Sequence, residues 1–157
     1  MSSPPRGDPS GRRAPVTGIV FRRLDGASER ALADRLLAAD GLEPPPATTG
    51  ASTWFGLWDL TAAGSESLVG VAVTGPVGHA TVQLYAVAVP AAQRRRGLGS
   101  RLVREVADMH RAHGSTSLVA APPTDDIAAR RWLVALGFAP CQPTGQCADS
   151  GRLRLEL

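Results

Sequence analysis

Apolar residues, many of them β-branched or aromatic, fill three short runs in the first half of the chain, Thr53 to Leu60, Ser67 to Thr74 and Thr81 to Val89, separated by Gly, Ser and Pro. Such runs bounded by turn residues read as strands, and short breaks join neighbouring strands antiparallel, so these runs predict a meander. Val16 to Arg22 reads as an earlier strand. Ser28 to Ala39 carries Ala31, Leu32, Leu36 and Leu37 at helical spacing, which predicts a helix capped by Ser28 and ended by Gly41. Pro44, Pro45 and Pro46 remove backbone donors between Leu42 and Gly50, which therefore reads as a loop. In the second half apolar residues recur at spacings of three and four: Leu98, Leu102, Val103, Val106 and Met109 define a helix that stops at Gly114. Ser115 to Ala120 is a short buried strand. Beyond Pro122 and Pro123, the acidic pair Asp125 and Asp126 suits the N-terminus of a helix from Ile127 to Leu136, closed by Gly137. Phe138 to Gln142 and Gly151 to Leu157 read as terminal strands, and no internal repeat occurs. The result is a mixed α/β pattern.

At 157 residues and 43% apolar, the chain can close one core and not two, which gives a single domain from residue 15 to 157. Residues 1 to 14 hold almost nothing to bury and read as a flexible arm. All 17 cationic side chains are Arg, as a GC-rich bacterial genome would encode. A net charge of +3 favours an anionic ligand but is small for a nucleic-acid binder, and no aromatic side chains interleave the basic run to stack bases. Cys141 and Cys147 do not form a CxxC pair, so no metal site is expected. The N-terminus lacks an apolar core, and no apolar stretch spans a bilayer, so the expected location is the cytoplasm, away from membranes.

The chemistry concentrates at Arg94-Arg95-Arg96-Gly97-Leu98-Gly99-Ser100, where three cations and two glycines lie between a strand and an amphipathic helix. Glycine lets backbone approach an anion, the helix start presents free N–H groups, and guanidinium adds charge-assisted bonds to phosphate. A P-loop is excluded because the chain has no Lys, and a dinucleotide-binding loop wants Gly or Ala where Leu102 stands.

The order of strand, RxxGxG, helix, strand and second helix ending in Leu136-Gly137-Phe138 resembles the GNAT acetyltransferases. The resemblance implies a twisted mixed sheet flanked by helices and splayed between the Leu84 to Val89 and Ser115 to Ala120 strands, with acetyl-CoA in the opening. It implies that the backbone of Val87, Ala88 and Val89 pairs with the pantetheine arm, and that Arg94 to Ser100 hold the pyrophosphate. The Val87 amide falls where the family places a donor to the thioester carbonyl, and Asp126 stands for the usual pantetheine-contacting Asn.

The family's acid-base residues are missing. Its strand glutamate lines up with Gln83, its tyrosine with Leu133, and a further glutamate with Ala121. Tyr85 is the remaining catalytic candidate, with Glu43, Asp59 and His79 behind it, while His110 and His113 are expected at the surface. Trp54 and Trp58 are expected in the core. The implied function is N-acetyl transfer to the amine of a small molecule or a protein N-terminus, with homodimerisation allowed. A non-catalytic acyl-CoA binder or sensor remains the alternative. Deleting residues 1 to 14 is predicted to move the melting temperature by no more than about two degrees, the shift that about half a kcal/mol produces in a domain this size; a thermal melt of the truncated chain checks this.

Overall fold

The computed structural model describes residues 18–43, 45, 51–61, 64–142 and 151–157. The apolar runs of the first half form β1 (Gly18–Arg23), β2 (Thr53–Leu60), β3 (Glu66–Pro76) and β4 (Thr81–Ala88), paired antiparallel in that order. Helix α1 (Ala27–Ala39) joins β1 to β2. Helix α2 (Leu98–Ala112) crosses from β4 to β5 (Ser117–Ala120), and β5 pairs parallel with β4, as a helical crossover permits. Helix α3 (Ile127–Ala135) leads to β6 (Ala139–Pro140), and β7 (Leu153–Glu156) inserts between β5 and β6. The sheet order is β1-β2-β3-β4-β5-β7-β6.

The alternation of each strand feeds two cores, one per sheet face. Phe55, Leu57 and Leu84 meet Leu102 and Val106 of α2 and Leu133 of α3 on one face. Trp54, Trp58, Val71 and Val73 meet Leu37 of α1 on the other. Both tryptophans are buried, as expected. Fully burying a Leu or Val side chain is worth roughly 1.5–3 kcal/mol, so the two layers fix where α1 and α2 lie on the sheet. Among the described residues no helix is long and apolar enough to cross a membrane.

Two irregularities matter for the site. Val73 pairs with Ala86 but Thr74 pairs with Leu84, so Tyr85 is an extra residue in β4, a β-bulge. In consequence Leu84 faces the α2 core, Tyr85 and Ala86 both face the α1 core, and Val87 returns to the α2 side. The second irregularity is that pairing between β4 and β5 ends at Leu84 with Ala120, while β4 runs on to Ala88. Ala121 is followed by Pro122 and Pro123, which have no N–H to extend the ladder. The sheet therefore splays where the family resemblance implied.

Some local expectations are corrected. The N-cap of α1 is Gly26 rather than Ser28, because Glu29 reaches back to accept the Gly26 N–H at 3.3 Å and no hydroxyl is needed. The strand expected from Phe138 to Gln142 shrinks to two residues around Pro140. Residues 1–14, Val16 and Cys147 lie outside the described residues, as does most of the proline loop.

His113 is exposed, but His110 is not the surface residue expected. It follows Val106 by four positions on the buried stripe of α2, with Nε2 at 3.0 Å from the hydroxyl of fully buried Thr74. Its ring meets Phe55 edge-on at 5.7 Å. Burial pushes its pKa below the usual histidine value, helped by the charge of His113. The unfolded chain thus takes up the proton first, at about pH 6.5. The His110 contribution to stability is complete above that value and is lost as pH falls from it through the lower folded value. Denaturant titrations between pH 7 and 5 are expected to fall less steeply for His110→Gln than for the wild-type chain.

Candidate active site

The start of α2 shapes the turn from Arg94 to Ser100 into a cradle of backbone N–H groups and guanidinium. Gly97 is its N-cap, held in the left-handed region at φ 73°, and Arg95 is the one non-glycine residue with positive φ among those described, at 64°. A left-handed non-glycine residue costs on the order of 1–2 kcal/mol, so this turn is held by its surroundings. The first helical bond runs from Arg101 N–H to Gly97 O at 3.0 Å. The N–H groups of Leu98, Gly99 and Ser100 therefore have no partner within the helix, and the helix dipole makes that end attractive to an anion.

The three arginines behave differently. Arg94 donates from Nε to Val89 O at 3.0 Å and from its terminal nitrogen to Asp40, the C-cap of α1. Arg96 binds back to Gln93 Oε1. Arg95 is exposed and makes no hydrogen bond or ion pair with any described residue. It lines a groove of about 620 Å³ together with Gly97, Leu98, Gly99 and Ser100, whereas Arg96 does not line it.

An inner cavity of about 550 Å³ continues from that groove into the splay, between the Leu84 to Val87 segment of β4 and Ala120 to Pro123. Asp40, Val87, Arg94, Asp126, Ala129 and Trp132 line both parts, which makes them one continuous cleft. The Asp126 carboxylate accepts the Ala129 N–H at 2.9 Å and so caps α3 at the cleft wall. Trp132 donates its indole N–H to Ser100 Oγ at 3.0 Å, tying α3 to the cradle. Gly99 leaves room for that contact, since a Cβ there would lie 3.4 Å from the Trp132 ring.

The other candidates divide cleanly. Tyr85 lines the inner cavity, but its ring packs towards the α1 core against Gly75, where a Cβ would stand 2.7 Å from it. Val89 lines the outer groove, and Ala88 is buried in the α1 core. Gln83 pairs with Val119 in the closed part of the ladder, away from the cleft. Leu133 and Ala121 line the inner cavity and bring no ionisable group. Glu43 and His79 are exposed, and Asp59 pairs with Ile19 on the far side of the sheet; none lines the cleft. Sequence reasoning missed Asp40 and Trp132. Asp40 gave no signal beyond its place before the helix-ending Gly41, while an aromatic residue on the helix before Leu136-Gly137-Phe138 could have drawn notice.

The model of the acetyltransferase (GNAT) family matches residues 29–138, well over half of the chain. No curated protein sequence matches it significantly. Among solved structures the chain is similar to the ribosomal-protein-S18-alanine N-acetyltransferase of Escherichia coli, at 18% identity and a TM-score of 0.68 over 88% of this chain and 94% of that one. It is similar to a Bacillus subtilis acetyltransferase in complex with CoA, at 18% identity and 0.66 over 89% and 99%. It is likewise similar to an IAA acetyltransferase from Bacillus cereus, at 18% identity and 0.67 over 89% and 100%. Such identities establish the shared fold, and the family match runs from the first turn of α1, through the cradle, to Phe138. With that span matched and the sheet splayed beside the cradle, the chain belongs to the acetyltransferase (GNAT) family.

Proposed function

We propose that the chain, as one domain from residue 15 to 157, transfers an acetyl group from acetyl-CoA to the amine of a small molecule or a protein N-terminus. The observation that carries this reading is the continuity of the cleft from the free N–H groups of Leu98 to Ser100 to the open edge of β4. A long ligand with a diphosphate at one end and a thioester at the other fits that shape. The similar Bacillus subtilis protein holds CoA, and the similar Escherichia coli enzyme acts on an alanine of ribosomal protein S18, which supports the cosubstrate and an amine acceptor.

Bound acetyl-CoA would supply the activated acyl group. The chain's own part begins at the cradle, where Arg94, Arg95 and the amides from Gly97 to Ser100 would hold the diphosphate. The open edge of β4 at Val87, with Val89 beyond it, would hold the pantetheine arm. The Val87 N–H would donate to the thioester carbonyl, and one donor of that kind is typically worth about a hundredfold to a thousandfold in rate. Alignment of amine and acyl group supplies several kcal/mol more. With Leu133 and Ala121 at the cavity wall and Gln83 outside it, no described side chain at the family's positions takes the amine proton, so the proton leaves through water.

Two outcomes follow. Arg95→Ala is expected to weaken coenzyme A binding about ten- to a hundredfold, for roughly 1.5–3 kcal/mol of charge-assisted contact. Arg96→Ala, outside the groove, is expected to change it less than about threefold; calorimetry that ranks the two the other way refutes the cradle as drawn. Without an internal base, kcat/KM for an α-amine should rise about tenfold per pH unit up to the amine's own pKa near 8. A lysine amine of pKa about 10.4 should be more than a hundredfold poorer at pH 7, since it gives up about 3 kcal/mol more on deprotonation. A thiol-release assay over pH with one amine of each kind tests this, and tight coenzyme A binding without turnover of any amine would instead mean a non-catalytic acyl-CoA binder.

A further inference from the structure

A separate groove opens on the α1 face of the sheet. It holds about 590 Å³, within the roughly 300–1,000 Å³ of ordinary small-molecule sites. The C-terminal half of α1, Trp58 of β2, the first residues of β3, and Pro90 with Ala91 line it. It shares Ala39 and Asp40 with the inner cavity, but no residue from Gly97 to Ser100 lines it. Leu32, Leu36, Trp58 and Leu68 make its wall apolar, and Leu32 is 41% exposed there. Its charged side chains are Arg35, Asp40 and Glu66. Both carboxylates are already matched, Asp40 by Arg94 and Glu66 by Arg22 at 2.7 Å. Arg35 is not. Its Nε donates to the Ala31 carbonyl of its own helix at 3.3 Å, and its terminal nitrogens meet no carboxylate among the described residues. Trp58 is 4% exposed, and its indole N–H has no hydrogen-bond partner among them either. The groove is therefore short of acceptors and not of donors, and a buried donor left unmet favours any occupant that brings one.

We infer that this groove is a second binding site, for a small organic anion with an apolar body, a hydrophobic carboxylate or sulfonate. The body lies against Leu32, Leu36 and Leu68, and the anionic group meets the terminal nitrogens of Arg35. Charge decides between ligand classes. A cation finds both carboxylates taken, and a molecule with several negative charges faces Asp40 and Glu66 with a single cation to offset them. A neutral apolar molecule leaves Arg35 unmet. An occupant of this groove stands outside the run from the cradle to the open edge of β4, so it binds alongside coenzyme A and not in its place. It touches Asp40, which holds Arg94, and Pro90 and Ala91, which lead into the cradle.

The inference does not depend on acetyl transfer, and its test needs no turnover. The full chain is titrated with anilinonaphthalene sulfonate and, separately, with phenylnaphthylamine, the same body without the sulfonate, and fluorescence reports binding. One saturable sulfonate site per chain is expected, its affinity changed less than about threefold by saturating coenzyme A. Absence of saturable binding overturns the site, and displacement by coenzyme A puts the probe in the cleft and overturns it too. Arg35→Gln is expected to weaken the sulfonate about fivefold or more, as loss of a charge-assisted contact does, and to leave the neutral probe unchanged. Leu32→Glu, which sets a carboxylate at the mouth of the groove, should likewise weaken the sulfonate more than the neutral probe. Equal losses for both probes, or none for either, overturn recognition of the anion by Arg35. Both substitutions fall at exposed positions of α1, and a thermal melt checks that each variant is folded. Should one not fold, the coenzyme A competition on the wild-type chain still decides whether the groove is a separate site.

Discussion

The ladder between β4 and β5 stops at Leu84 and Ala120, and the rest of the cleft depends on that stop. A strand in the middle of a sheet ordinarily has both edges paired, because an unpaired buried N–H or C=O loses about as much as a broken hydrogen bond. Here β4 continues to Ala88 with one edge against β3 and the other open. The cause is chemical and local: Pro122 and Pro123 have no donors to offer. The bulge at Tyr85 then turns the open segment so that Val87 belongs to the α2 face, beside the cradle. An open edge beside free helical N–H groups is a backbone arrangement that asks for a ligand rich in acceptors.

The cradle sits at the far end of the same strand, and its geometry is held from three directions. Arg94, its first residue, is tied to Val89 just beyond β4 and to α1 through Asp40. Trp132 anchors Ser100 from α3. Between these ties the chain passes through left-handed Arg95 and Gly97, a strained turn that an untethered loop would relax. Arg94 is thus mainly structural in the free chain, and Arg95 is the cation left for a ligand.

What the sequence made legible was local. Strands β2, β3 and β4 follow from short apolar runs between turn residues, helix α2 follows from a period of three to four, and the turn that starts α2 follows from glycines and arginines adjacent in the chain. What it hid were partnerships across long separations. Asp40 is 54 residues from Arg94, and Thr74 is 36 residues from His110, so no window of sequence contains both members of either pair. The Tyr85 bulge was hidden for a related reason. Burial alternates without a break from Thr81 to Ala88, and only the register with β3 reveals that the alternation changes face.

The Arg94–Asp40 pair also sets what the cradle gives up when Arg94 turns to a ligand. A diphosphate that drew Arg94 away would first break the contact with Asp40, and its binding would be weakened by what that contact is worth. The Arg94 side chain is 52% exposed and that of Asp40 is 21% exposed, and an ion pair this open to solvent contributes about 0.2–1 kcal/mol. Breaking the pair therefore weakens diphosphate binding by no more than about fivefold, which one additional charge-assisted bond from Arg94 to a phosphate oxygen offsets.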